Sequence, residues 1–349
     1  NAKKTFRSNM KYNAVDLFAG CGGLSEGLRQ AGFRTVAACE IDPVAVATYK
    51  LNHPDVTVFV NDIKQVDTSE VKKLLGGEPL HLLAGCPPCQ GFSSLRRLNK
   101  KGSVRDGRNS LVDEYYRFIK ELKPLTIMME NVPGLQNYFK FQDMIKRLKK
   151  LGYLLDTAIV NVTDYGVPQR RKRLILIGSL LNEIKIAPGI NVKKTVAMCI
   201  GSMESVRETK DPLHKIVAKH TDKIMEMIRL IPKNGGSRTD LPKKYILECH
   251  KRKNVGFNDV YGRLKWDDYS STITGGCLNP SKGRFLHPSE HRGITAREAA
   301  LLQTFPMGYK FSTNATKTQI ALMIGNALPP EFCRLQSKNI LDHLVLNYG

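Results

Sequence analysis

The chain has 349 residues, with 54 Lys and Arg against 32 Asp and Glu, a formal charge of +22 at neutral pH, and 42% hydrophobic against 7% aromatic residues. This length and apolar content suit two compact domains, or one large domain with an inserted lobe, and exclude a disulfide scaffold or a mainly disordered chain. The excess positive charge points to a polyanion, nucleic acid first; a membrane surface competes, but there is no apolar run of about 18 residues and no signal-peptide core, so a soluble cytosolic chain with reduced cysteines is expected.

Taken in chain order, residues 13–18 read as a short apolar strand that the glycine-rich stretch Ala19-Gly20-Cys21-Gly22-Gly23 turns into a helix over 24–31, closed by Gly32. A strand over 34–40, a helix over 44–52 opened by Pro43, and a strand over 56–60 repeat the rhythm. Further strands are predicted at 80–84, 125–130, 155–160 and 174–177, with helices at 111–122 and 141–151. Alternation of this kind predicts an α/β fold with a doubly wound, mainly parallel sheet. Beyond Gly178 the rhythm is lost in a lysine-rich stretch to about Leu286, read as a separate lobe. Helix returns after Thr295, whose spacing to Glu298 forms a capping box, and again after Pro330. The basic stretch from Gly91 to Arg108 reads as a long functional loop.

Several segments carry chemistry. The spacing Gly20, Gly22, Gly23 departs from the pyrophosphate fingerprint, yet Glu40 ends the second strand about twenty residues on, where an acidic side chain accepts the hydroxyls of a ribose. Asp62 suits an adenine amino group, or simply a helix cap. Cys86-Pro87-Pro88-Cys89 has three readings: half of a zinc site, a redox pair, or a turn that presents a nucleophilic thiolate, for which Cys89 is the better placed. Glu130 ends the fifth strand and would polarise the target of that thiolate, although it and Asn131 also suit a helix cap. The run Arg170-Arg171-Lys172-Arg173 suits a phosphate or a carbonyl oxygen.

Six segments in order, Asp16-Leu17-Phe18-Ala19-Gly20, Pro88-Cys89-Gln90-Gly91-Phe92-Ser93, Glu130-Asn131-Val132, Gln169-Arg170-Arg171-Lys172-Arg173, Arg297-Glu298 with Leu302-Gln303-Thr304-Phe305-Pro306, and Gly325-Asn326-Ala327-Leu328-Pro329-Pro330, resemble the cytosine-specific DNA methyltransferases that modify carbon 5. The resemblance implies the S-adenosylmethionine-dependent methyltransferase fold and three parts: a catalytic, cofactor-binding domain over 1–181, a target-recognition domain over 182–285, and helices over 286–349 that complete the catalytic domain. It implies Cys89 as nucleophile at carbon 6, Glu130 at ring nitrogen 3, and Arg171 and Arg173 near the base carbonyl, with Arg170 less clearly placed. Phe18, Gly20, Gly23, Glu40, Asp62 and Asn326 then line the S-adenosylmethionine pocket, and no metal is implied.

The expected partner is double-stranded DNA with its target base flipped out, the 91–108 loop closing over it and Ser271–Gly276, read as a strand entering a tight loop, reaching base edges. A monomer is expected, cytoplasmic and associated with the nucleoid if bacterial, and the family implies a cognate restriction endonuclease as functional partner. Methylation of transfer RNA is the rival within the same chemistry, although the Cys-Phe-Thr string of that branch is missing from the sequence. A DNA-binding regulator without activity is the rival from another class, opposed by the intact Cys89, Glu130 and Arg171.

Overall fold

The structure, a computed structural model, describes residues 11–88, 111–245 and 259–348. The chain divides into two compact units. The first holds the chain up to Asn161, Lys172–Ile190 and the chain from Leu328 onward; the second holds Val162–Arg171 and Asn191–Ala327.

In the first unit seven strands form one sheet in the order β3-β2-β1-β4-β5-β7-β6. They are β1 (Tyr12–Leu17), β2 (Phe33–Cys39), β3 (Thr57–Phe59), β4 (Leu82–Gly85), β5 (Thr126–Asn131), β6 (Leu154–Asn161) and β7 (Lys172–Ser179). All seven sequence-predicted strands are present, with ends shifted by up to two residues. The first five run parallel, and β7 inserts antiparallel between β5 and β6, so the sheet is mixed but mostly parallel. β1, β4 and β5 are buried along their whole length, as continuous apolar strands covered on both faces must be. Helices α1 (Gly23–Ala31), α2 (Pro43–Asn52), α3 (Thr68–Leu75), α4 (Leu111–Leu122) and α5 (Phe139–Lys150) connect the strands. Helix α3 escaped the sequence reading, although Asp67 caps it and Gly76 ends it in the left-handed conformation.

Gly32 closes α1 with a φ of 102°, as its position predicted. The last helix, α10 (Pro330–Asn347), packs across α1, and Gly27 lets the two backbones meet. A Cβ at Gly27 would lie 2.7 Å from the Pro330 carbonyl oxygen and 2.8 Å from Cys333 Sγ, with Cys333 Cβ closer still. Gly27→Ala is therefore expected to destabilise the protein by about 2 kcal/mol, despite alanine's better helix propensity. The midpoint of urea unfolding reads this directly.

Among its described residues the second unit is poor in regular structure. Its helices are α6 (Val196–Ile200), α7 (Asp222–Leu230), α8 (Ala296–Leu302) and α9 (Lys317–Asn326). Thr295 and Glu298 form the expected capping box, and Arg292 clamps the buried Glu298 carboxylate through two bonds of 2.8 Å. The strand expected over 271–276 is not formed: Ser270 makes an isolated bridge with Gln169, and a turn follows from Gly275. The segment spends its hydrogen bonds on neighbouring chain instead, Ile273 N donating to Gln169 Oε1 and Thr272 Oγ1 to the Arg170 carbonyl, so no partner strand is needed.

A buried polar cluster ties together four of the sequence motifs. Gln169 Nε2 donates to the Leu302 carbonyl and to Gln303, whose own amide reaches the carbonyls of Ile324 and Ala327. Gly325 completes the cluster: a Cβ there would lie 2.2 Å or less from the Thr274–Gly275 backbone, so only glycine fits.

Candidate active site

Parallel strands β1, β2, β4 and β5 end along one edge of the sheet, where a doubly wound fold binds its ligand. The turn after β1 is built for close approach. Phe18 has a φ of 62°, a conformation that costs a side-chain-bearing residue about 1–2 kcal/mol, and its ring is only partly buried against the core. Gly20 has a φ of 56°, and a Cβ built on it would meet nothing within 4 Å, so this backbone faces open space. Gly23 is the first, buried residue of α1.

Glu40, at the end of β2, reaches back across the turn. One carboxylate oxygen accepts from Gly20 N at 2.8 Å, and the other from Ile41 N and Asp42 N, both at 2.9 Å. The carboxylate is thus fixed in place before any ligand arrives, with lone pairs left to accept more. Asp62 caps the short 3₁₀ turn Ile63–Gln65 through Lys64 N, so the cap reading of this residue holds, and its carboxylate keeps capacity for another donor. Two neighbours went unnoticed in the sequence. Ile41 is 63% exposed beside Glu40, an apolar surface where a ring could lie. Asp16 is fully buried, and Ser25 Oγ, 2.7 Å from it, also touches the Tyr49 hydroxyl at 2.7 Å. Burial pushes the Asp16 carboxyl up to about 7 against the opposing effect of Ser25. An acid ending a buried apolar strand was the available signal.

Further along the same edge, Glu130 lies in β5 with its carboxylate 2.5 Å from the Arg173 guanidinium of β7. The register accounts for the meeting: Glu130 pairs with Ile175, and Arg173, two residues earlier, presents its side chain on the same face. Asn131, expected as a cap, does more than that. Its Oδ1 accepts from Val132 N, while its Nδ2 donates to the Pro87 carbonyl at 2.8 Å, pinning the Pro-Pro turn from the adjacent strand. Cys89 and the basic loop over 91–108 lie outside the described residues.

The remaining arginines are differently employed. Arg171, in the second unit, is buried, and its guanidinium donates to the carbonyls of Ile273, Gly325 and Ala327, so its charge is spent on backbone. Arg170 pairs with Asp268 at 2.6 Å and lies over the Tyr269 ring. Arg170 lines an open cleft of about 480 Å³ within the second unit, together with Asp268, Lys265, Ser271, Thr272 and Arg284. Asn326 ends α9 in that unit.

The family model for C-5 cytosine-specific DNA methylases matches residues 12–342, nearly the whole chain. The chain belongs to this family. It is an enzyme that methylates cytosine at carbon 5 in DNA. It is similar to a Type II methylase from Herpetosiphon aurantiacus, M.HgiDII, at 35% identity over 93% of this chain and 94% of that one. It is also similar to the Type II methyltransferase M.PspPI of a Psychrobacter species, at 36% identity over 95% of this chain and 80% of the relative. Among solved structures, a putative DNA modification methyltransferase encoded within an Escherichia coli prophage superposes with a TM-score of 0.73 at 25% identity, covering 96% of this chain and 100% of that one. A Spodoptera frugiperda DNMT2 variant, with a TM-score of 0.66 at 18% identity and covering 95% of this chain, shares the fold. Among the described residues, no helix of this methyltransferase is long and apolar enough to cross a membrane.

Proposed function

We propose that this methyltransferase acts on duplex DNA, uses S-adenosylmethionine, and activates its target cytosine by covalent addition of Cys89. The observation that carries the proposal is the Glu130–Arg173 pair, set on the same sheet edge as the glycine turn clasped by Glu40.

The turn fits the cofactor. Gly20 presents backbone to open space, Glu40 is oriented by three N–H groups, and neither feature supplies the string of glycines a pyrophosphate requires. In this reading Glu40 accepts the ribose hydroxyls, Asp62 the adenine amino group, Phe18 packs on the adenine ring, Gly20 and Gly23 leave room for the chain, and Asn326 serves the methionine end. When bound, S-adenosylmethionine supplies an electrophilic methyl group.

The residues of the chain prepare its acceptor. Carbon 5 of cytosine is a weak nucleophile, and attack of the Cys89 thiolate on carbon 6 pushes the ring π electrons toward carbon 5 and nitrogen 3. Glu130 hydrogen-bonds nitrogen 3 and holds a proton there, and Arg173 opposes the charge that develops on the base. Once carbon 5 carries the methyl group, its proton leaves to water, the carbon 6–sulfur bond breaks, and the thiolate is regenerated. Within the second unit, Arg171 anchors the carbonyls of residues 325 and 327, beside Asn326.

Because carbon 6 is stacked inside a duplex, the base must be flipped out. Residues 182–285 are assigned target recognition, with the polar cleft around Arg170, Ser271 and Thr272 as the part that meets DNA. Relatives named Type II methyltransferases support a role as the modification half of a restriction–modification pair. The test is transfer of labelled methyl from S-adenosylmethionine to duplex DNA and to transfer RNA, followed by mapping of modified cytosines. Incorporation into duplex DNA at one sequence context, falling steeply between about 50 and 200 mM salt, is expected; incorporation into RNA alone would overturn the proposal.

A further inference from the structure

The second strand-end cysteine of the Pro-Pro turn, Cys86, has no part in the chemistry above, yet the sheet places it against the catalytic carboxylate. β4 and β5 run parallel with Gly85 opposite Met129, so the next positions along both chains bring Cys86 beside Glu130, on the face from which Arg173 approaches. The Cys86 backbone is held there by a bond from its N–H to the Leu17 carbonyl at 3.3 Å, continuing the β1–β4 pairing. Gly85, whose Cβ would lie 3.0 Å from the Leu17 carbonyl oxygen, keeps the strands pressed together at that point. On the following residues, Asn131 grips the Pro87 carbonyl, so the turn is fixed on both sides of the thiol. Burial first, and the neighbouring Glu130 carboxylate next, push the Cys86 thiol well above its ordinary value, so it remains protonated and able to donate.

We propose that Cys86 is a positioning residue for Glu130: its thiol and the Arg173 guanidinium together hold the carboxylate in the plane that faces the flipped cytosine. This rests on the reading of Glu130 as the group that meets ring nitrogen 3. A carboxylate held by a single ion pair can swing about its χ angles, whereas two donors from different strands fix its orientation without using every lone pair.

The test compares full-length Cys86→Ser, Cys86→Ala and Cys86→Val with the wild type in steady-state methylation of duplex DNA across pH, with cofactor affinity and thermal unfolding measured alongside. Serine keeps a donor, valine keeps bulk without one, and alanine keeps neither. Serine is expected to stay within about threefold of wild-type kcat, while alanine and valine both fall about tenfold, the loss of one hydrogen bond to a charged group. Cofactor affinity and the KM for DNA should stay unchanged, so the loss falls on kcat alone. The role of Cys86 is overturned if alanine and valine match the wild type, if serine falls as far as they do, or if the loss falls on the KM for DNA or on cofactor affinity instead of kcat. A wild-type protein that fails to methylate duplex DNA would instead overturn the reading on which the role rests.

Discussion

Glu130→Gln is expected to lower the rate of methyl transfer to duplex DNA by about a hundredfold or more, with cofactor binding and thermal stability close to wild type. The side chain is almost completely buried and meets Arg173 at 2.5 Å, so glutamine fits the same space and can still accept from the guanidinium. What glutamine lacks is a proton it can give up to ring nitrogen 3 and a charge to balance Arg173. The partner left behind is a guanidinium that never loses its proton, now facing a neutral amide at the point where the base docks. The loss should therefore fall on kcat more than on the KM for DNA. Trapping with 5-fluorocytosine in DNA checks the step, since weaker activation of the ring should slow formation of the covalent conjugate. An unaltered trapping rate would remove Glu130 from the addition step.

How much of this was legible in the sequence depends on the range of the interactions involved. The strands of the first unit could be read because each is a short apolar run closed by glycine, proline or an acid, and the carboxylates at their ends, Glu40 and Glu130, fall on one edge once the strands are parallel. The antiparallel insertion of β7 between β5 and β6 was hidden, since an apolar strand carries no mark of its direction. The motifs misled in a different way. A run of arginines suggests ligand binding, yet Arg171 gives its guanidinium to three carbonyls, and Gln169, Gln303 and Gly325 serve the same buried cluster. Pairings more than a hundred residues apart leave no local trace, so the same residue types read equally well as chemistry or as scaffold. Asp16 could have been noticed as an acid near the end of an apolar strand, whereas nothing but its exposure distinguishes Ile41, and a sequence does not state exposure directly.

The second unit poses a sharper problem of stability, and Arg263→Met is expected to have the larger structural effect because of how that unit is held. With short helices, isolated bridges and no strand ladder among its described residues, it has few backbone bonds to organise residues 228–236 against 284–294. Arg263 supplies them from one side chain. Fully buried, it donates to the carbonyls of Ile228 at 2.8 Å, Ile231 at 3.1 Å, His287 at 2.9 Å and Glu290, and its guanidinium lies 2.9 Å from His291 Nδ1. Its own N–H and that of Leu264 pair with the carbonyls of Gly236 and Leu286, placing the side chain at the centre of the apolar cluster formed by Met227, Ile228, Ile231, Leu241, Tyr261 and Leu286. Methionine fills a similar volume and removes the burden of a buried charge, but it leaves the buried carbonyls of Ile228, Ile231 and His287 without these donors. At about 1–3 kcal/mol for each buried carbonyl left unsatisfied, the loss comes to several kcal/mol, more than the recovered desolvation can offset. Hydrogen exchange should show protection lost at residues 228–231 and 287–291 while β1 and β4 keep theirs, and DNA methylation should fall with it although no reacting atom has been touched. Equal protection in both proteins would mean that the apolar cluster alone holds the unit together, and that the arginine is dispensable.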